Sequence, residues 1–196
     1  MKLLRFAVAA LLASVLLSGC KDAPGPSAQG QPAAKAPVTT AAIEAEAKGF
    51  TVGSTMSTRT VYVFFDPQCP HCAVLWQAAK PLKAQAKFVW IPVGIINKAS
   101  ASQGATILAA KDPVTAMDEH ETSILAKQGG IAASGDTDAQ KAAIEKNTAL
   151  LNRFGFASIP TIVALHAQTG ALVTKEGALP TPELAALLGL QVPAGQ

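Results

Sequence analysis

Apolar residues in this chain fall into short unbroken runs separated by stretches with helical spacing. The clearest run is Val61-Tyr62-Val63-Phe64-Phe65, β-prone throughout, the pattern of a central strand buried on both faces. Phe50–Gly53, Phe88–Val93, Thr161–Leu165 and Ala171–Lys175 are further strand candidates, the last two flanking a Gln168-Thr169-Gly170 turn. Pro92 predicts incomplete pairing at the end of its strand, because proline has no N–H to donate. Helical spacing predicts a short helix over Ala41–Lys48 and a longer one from near Cys69 to about Ala86, kinked at Pro81. Ala105–Ala110 and Val114–Lys127 also read as helical, divided by Asp112-Pro113 and closed by the Gly129-Gly130 and Ser134-Gly135 turns. Thr137-Asp138-Ala139-Gln140 fits a capping box. Ile144, Thr148 and Leu151 then recur on one helical face, with Gly155 as the stop. A last helix starts at Thr181-Pro182-Glu183 and ends at Gly189.

Strand, helix, strand, helical insert, helix, hairpin, helix is the order of an α/β domain with a mixed sheet between helices. The domain is expected over residues 41–196, with the insert at about 98–136. No internal repeat is present.

The N-terminus follows a different pattern. Lys2 and Arg5 precede an apolar run, Phe6–Leu17, broken only by Ser14, and Leu17-Ser18-Gly19-Cys20 follows. A basic start, apolar centre and small residues at the cut make a secretory signal peptide, expected over residues 1–19. The run is too short for a membrane span of ~20 apolar residues. Leu-Ser-Gly-Cys resembles the lipobox of bacterial lipoproteins, which implies cleavage before Cys20 and lipidation of that cysteine. Lys21 in the next position slightly favours the outer membrane over the inner one. Residues 20–40 carry Pro24, Pro26, Pro32 and Pro37 among Ala, Gly, Ser and Gln, the composition of a flexible tether.

Composition narrows the function. Of 196 residues, 49% are hydrophobic, enough for a sizeable core and against disorder of the whole chain. The formal charge of +3 falls close to neutral once Lys2 and Arg5 are removed. With no basic stretch or aromatic-basic interleaving, the sequence gives no footprint for nucleic acid. An exported chain folds in an oxidising compartment. Its three cysteines are Cys20, Cys69 and Cys72, so the lipobox accounts for the odd one and leaves a pair.

That pair, Cys69-Pro70-His71-Cys72, sits where the central strand should hand over to a helix. The first turn of a helix has unpaired N–H groups and partial positive charge. A sulfur placed there is stabilised as thiolate, with a pKa in the ~3.5–7.5 range of such sites. Cys72, one turn deeper, should be more buried and a poorer nucleophile. An imidazolium at His71 would further favour the Cys69 thiolate, and a better leaving thiolate makes the disulfide more oxidising. Asp66 either tunes the thiolate or is a turn former before Pro67. A structural zinc site needs about four ligands, and two thiols with the scattered His71, His120 and His166 do not supply them. A purely structural disulfide would close too small a loop to stabilise much. Copper delivery usually uses a three-residue spacer and a dedicated downstream histidine.

From about Phe50 to Leu190 the chain resembles the thioredoxin fold of the bacterial Dsb class, more narrowly the DsbC/DsbG-type thiol:disulfide interchange proteins. The resemblance rests on Val61–Cys72, Trp76, Ala79, Pro81, Pro92-Val93-Gly94-Ile95-Ile96, Ile107–Pro113 and Ile159-Pro160. It implies that Cys69 attacks, that Cys72 resolves, that no cofactor is needed, and that Ile159-Pro160 is a cis bond beside which an extended substrate segment pairs. Implied partners are cysteine-bearing envelope proteins and a membrane redox partner of the DsbD or DsbB type. Ile159 stands where DsbC and DsbG usually have Thr, and Pro70-His71 is the dipeptide of the oxidant DsbA. Only the tether and a short helix precede the fold, so a monomer is expected. The readings left open are interchange, dithiol oxidation, and a non-enzymatic peptide-binding chaperone module.

Overall fold

Strand β2 (Thr60–Phe65) lies at the centre of a five-stranded sheet of order β1-β3-β2-β4-β5, with β1 Phe50–Gly53, β3 Lys87–Pro92, β4 Thr161–Leu165 and β5 Leu172–Glu176. This arrangement comes from a computed structural model that describes residues 35–135 and 137–192. The expected signal peptide, the lipidated Cys20 and most of the tether lie outside the described residues. β2 runs parallel to β3, with Val63 opposite Trp90, and antiparallel to β4, with Val63 opposite Ile162. β1 is antiparallel to β3, and β5 to β4. The mixed sheet, its flanking helices and the helical insert are as the sequence leads one to expect.

The unbroken apolar run of β2 is explained by the two cores it separates. Val61, Val63 and Phe65 face α2 (Pro70–Ala79) and α6 (Thr181–Leu188), together with Phe88, Trp90 and Ile162. Tyr62 and Phe64 face the other way, with Ile91, Val93 and Val163, towards Ile43 of α1 (Thr40–Glu46) and Leu150, Leu151 and Phe154 of α5 (Asp138–Arg153). Trp76 of α2 meets Trp90 at 4.9 Å between ring centroids and 76° between planes, and Trp90 meets Phe65 at 5.7 Å. Such edge-to-face pairs add ~0.5–1.5 kcal/mol each beyond their burial. The Trp76–Trp90 pair fixes α2 against the sheet, and the Phe65–Trp90 pair joins β2 to β3.

Three local expectations are corrected. The α-helix after Cys69 stops at Ala79 instead of continuing to Ala86, and the chain tightens into a 3₁₀ turn over Lys80–Leu82. Pro81 has no N–H for the next α-helical bond, and its ring crowds the carbonyl four residues back. Pro92 pairs to the end of its strand, opposite Phe65. The Val93 N–H donates to the Phe65 carbonyl at 2.8 Å. By the two-residue alternation of a strand, the missing N–H of Pro92 therefore faces the β1 side, where the ladder ends with Phe50 opposite Trp90. Thr137 is an N-cap without a capping box, since its side chain makes no cap bond and its hydroxyl donates to the Ser134 carbonyl instead. A capping box occurs at Asn97 and Ser100, which open α3 (Lys98–Ala109) earlier than the expected Ala105.

The insert is α3, α4 (Pro113–Leu125) and the loop beyond. It bridges both layers, with α4 packed on α2 and α3 on α5. Asp112 caps α4 by accepting from Val114 and Thr115 N–H groups. At the N-terminal side the chain already joins the domain at Lys35. Its ammonium donates to the Gly155 carbonyl at 3.1 Å, and the Ala36 N–H donates to the Arg153 carbonyl at 2.9 Å.

Candidate active site

Cys69 is the N-cap of α2, with extended backbone (φ −96°, ψ 110°) and Pro70 in the first turn. Its position follows from the sequence. β2 ends at Phe65, Asp66-Pro67 turns the chain, and the Cys69 N–H donates to the Asp66 carbonyl at 2.9 Å. Cys69 keeps 5% of its surface exposed and Cys72 none. Both are free thiols. His71 is exposed on the first turn.

The two sulfurs differ in acidity for identifiable reasons. The Cys72 thiol donates to Cys69, the N–H groups of Cys72 and His71 face the same sulfur, and the His71 charge adds to them. Together these outweigh burial and lower Cys69 from 9.0 to about 6. Cys72 moves the other way, well above its ordinary value, because burial opposes its charged form and Cys69 and Glu121 add negative charge nearby. One thiol is thus poised as thiolate at neutral pH and the other is held protonated.

Across the sheet edge, the Ile159 carbonyl lies 3.9 Å from the Cys69 sulfur, and the Ile159-Pro160 bond is cis. β4 runs antiparallel to β2, so its start lies at the same edge as the end of β2. Asp66 is fully buried. One carboxylate oxygen accepts from Gln68 N–H at 2.8 Å, and the other accepts from Ile95 and Ile96 N–H at 2.7 and 3.0 Å. Its visible work is to tie the cysteine loop to the loop after β3. Cys69, Pro70, His71, Cys72, Asp66, Ile159 and Pro160 therefore stand together at one edge, while Cys20 lies outside the described residues.

The insert supplies residues that sequence reading did not place here. The Gln68 amide donates to the Gln103 side chain and to the Gly129 carbonyl, and Gln103 in turn donates to the Gly129 and Ile131 carbonyls. His120 is fully buried, its Nε2 2.6 Å from the Pro67 carbonyl and its Nδ1 accepting from Ile131 N–H. Those partners fix the neutral tautomer with the proton on Nε2. Trp76 of α2 donates to Asp118 of α4 at 2.6 Å. The available signal was the inward stripe of α4, Met117, His120, Glu121 and Ile124, in which polar residues occupy core positions. Among the described residues no group of three His, Cys, Asp or Glu is placed to hold a metal ion.

A mixed sheet whose central strand delivers a Cys-x-x-Cys helix mouth opposite a cis-proline defines a thioredoxin-fold protein. The chain belongs to the thioredoxin-like domain family, whose model matches residues 51–191. It is related to the periplasmic Dsb thiol:disulfide oxidoreductases. It is 36% identical over 138 residues to the thiol:disulfide interchange protein DsbG of Pseudomonas aeruginosa, covering 67% of this chain and 51% of that one. It is 33% identical over 104 residues to DsbG of Escherichia coli, covering 52% and 42%. The chain thus spans about half the length of the curated relatives it matches. Among solved structures, a linker-deletion variant of ScsC from Proteus mirabilis superposes with a TM-score of 0.58 at 16% identity, covering 76% of each chain. A disulfide interchange protein from Neisseria gonorrhoeae gives 0.56 at 21% identity, covering 72% of this chain and 94% of that one. These two show the shared fold.

Proposed function

We propose that this protein is a lipid-anchored thiol:disulfide interchange protein of the bacterial periplasm, exchanging disulfides with cysteine-containing envelope proteins through Cys69 and Cys72. The observation that carries the reading is the asymmetry of the pair: an acidic thiol at a helix mouth and sheet edge, with a protonated, fully buried partner behind it. The Cys69 thiolate attacks one sulfur of a client disulfide, and the other client sulfur leaves as thiolate. Cys72 then attacks Cys69, which closes the Cys69–Cys72 disulfide and releases the first client sulfur. Two electrons pass to the client, and the reverse sequence oxidises a client dithiol. Backbone beside Pro160 offers an extended client segment strand-like pairing, which suits varied sequences. A membrane partner of the DsbD or DsbB type resets the pair, and a thioether-linked lipid on Cys20 anchors the domain, the outer membrane being slightly favoured.

A dithiol-oxidase direction is supported by the acidity of Cys69, since a stable leaving thiolate makes a disulfide more oxidising. The reduction potential against glutathione decides between them. A value near thioredoxin's, about −270 mV, overturns the oxidase direction. Cys69→Ala should abolish exchange, and Cys72→Ala should accumulate mixed disulfides with envelope proteins, seen as reductant-sensitive bands. Full activity of Cys69→Ala in cells would overturn the enzyme reading in favour of a peptide-binding module. Loss of radiolabelled palmitate on Cys20→Ala checks the anchor.

A further inference from the structure

We propose that His120, on the insert helix α4, is a positioning residue for the exchange reaction: by holding the Pro67 carbonyl it sets the turn that presents Cys69. The proposal rests on the exchange reading above and adds a residue that reading does not use. Cys69 is delivered by a tight turn, Asp66-Pro67-Gln68-Cys69, closed by the bond from its N–H to the Asp66 carbonyl at 2.9 Å. The middle of such a turn is a single peptide unit, here the Pro67 carbonyl joined to the Gln68 N–H. Rotation of that unit is what distinguishes one turn type from another, so its orientation decides how the chain enters the helix.

Both ends of that peptide unit are gripped by side chains. The Gln68 N–H donates to one Asp66 carboxylate oxygen at 2.8 Å. The Pro67 carbonyl accepts from His120 Nε2 at 2.6 Å, inside the protein. A buried carbonyl stripped of its donor is costly and turns to find another. The imidazole is itself locked from behind. Its Nδ1 accepts from the Ile131 N–H at 3.2 Å, which keeps the proton on Nε2 for Pro67. Gly130 lies against the ring with φ +86°, and a Cβ there would stand 2.4 Å from its Cε1 and 2.7 Å from its Nδ1. The loop bearing Gly130 and Ile131 is fastened in turn. The Gly130 N–H donates to the Ser123 hydroxyl at 3.1 Å, and Gln103 donates to the Gly129 and Ile131 carbonyls at 2.8 and 2.9 Å. The second glycine of the Gly129-Gly130 turn is thus required by the close approach of His120 as well as by its backbone angle.

The effect on the sulfur follows from geometry. Cys69 is the N-cap of α2, and its thiolate is held by the N–H groups of His71 and Cys72 and by the Cys72 thiol. Such bonds weaken steeply with distance and angle, so a small displacement of the N-cap weakens them together. Pro67 stands two residues before Cys69, and a freed Pro67–Gln68 peptide passes its rotation straight into the Cys69 backbone. His120 acts on the thiolate through this turn, since both its ring nitrogens are spent on Pro67 and Ile131. Its bond also keeps the negative end of the Pro67 carbonyl on the ring, away from a developing sulfur charge. The helical insert thereby reaches the reacting atom through one hydrogen bond.

The test uses the full chain, reduced, and reads the pH midpoint of alkylation by iodoacetamide, located on Cys69 by peptide mass spectrometry. His120→Phe keeps a ring and removes the donor. Its midpoint should rise by about one pH unit, a tenfold loss of thiolate on the acid side. Its equilibrium with glutathione should shift towards the disulfide by up to tenfold, ~30 mV. His120→Gln offers an amide donor and acceptor to the same two partners and should stay near wild type. Gly130→Ala, whose methyl group drives the ring off Pro67, should move the midpoint in the same direction as His120→Phe. A His120 that only supports the fold would make His120→Phe unfold at lower urea and leave its alkylation midpoint unmoved. That result overturns the proposal and leaves the exchange reading intact, and so does a midpoint in His120→Gln as high as in His120→Phe. The midpoint of an ordinary thiol in the wild type would instead overturn the exchange reading. Should His120→Phe fail to fold, Gly130→Ala decides, and an unmoved midpoint there overturns the proposal.

Discussion

The depressed acidity constant of Cys69 is also a statement about folding, and Cys69→Ser isolates it. In the unfolded chain this thiol returns to 9.0, whereas in the fold it titrates at about 6. A group whose folded value is depressed binds fewer protons in the native state between the two values. Its contribution to stability is therefore complete above 9.0 and is lost as pH falls through about 6. At 1.36 kcal/mol per unit, the thiolate contributes about 1.4 kcal/mol at pH 7, about 2.7 at pH 8 and close to nothing at pH 5. Serine does not titrate here, so any constant effect of the substitution cancels when its pH dependence is compared with wild type. Urea unfolding of both proteins in excess reductant, extrapolated linearly to water at each pH, measures the difference. The gap between wild type and Cys69→Ser should widen in favour of wild type by about 2.7 kcal/mol from pH 5 to pH 8. A gap that stays level over that range would refute the helix-mouth account of the thiolate. The same free energy opposes closure of the disulfide, which has no charge to stabilise, so a level gap would also remove the argument for an oxidising pair.

Two further outcomes follow from the insert. Gln103→Leu leaves the Ile131 carbonyl without its side-chain donor and the Gly129 carbonyl with Gln68 alone, and should cost about 1–3 kcal/mol by urea unfolding while speeding proteolysis of the loop after α4. Glu121 carries the opposite linkage to Cys69. Its folded value near 9 lies above its ordinary 4.5, so the native state binds the extra proton and the group destabilises increasingly as pH rises between those values. Glu121→Gln should therefore melt higher than wild type, by a margin that grows from mildly acidic to alkaline pH.

What the sequence disclosed was what neighbours along the chain decide. The apolar run of β2, the Asp66-Pro67 turn and the Cys69–Cys72 spacing lie within a dozen residues, and the local rules that link them suffice to place a reactive thiol at a helix mouth. Helix ends were less legible where composition is bland. Ala-Ser-Ala-Ser before Gln103 gives no hydrophobic stripe, so the start of α3 was hidden although Asn97 and Ser100 cap it. Thr137 looked like a capping-box residue, but its hydroxyl found a nearer carbonyl at Ser134. Pro92 looked like a fault in the ladder because only the sheet order reveals which edge its nitrogen faces. The greatest gap concerns His120, Gln103 and Glu121. His120 meets the cysteine loop across 53 positions and Gln103 meets Gln68 across 35, and no short-range pattern reports such pairings.

Asp66 has a consequence beyond the loop it turns. One buried carboxylate holds both the segment that bears Cys69 and the segment that bears Ile95 and Ile96, whose side chains are 44% and 47% exposed. The Cys69 sulfur and that apolar rim are thereby tied to each other through one side chain. On the exchange reading proposed above, an incoming polypeptide would have mainly itself to order, because the conformational entropy that a loose rim would surrender on contact is already given up in folding.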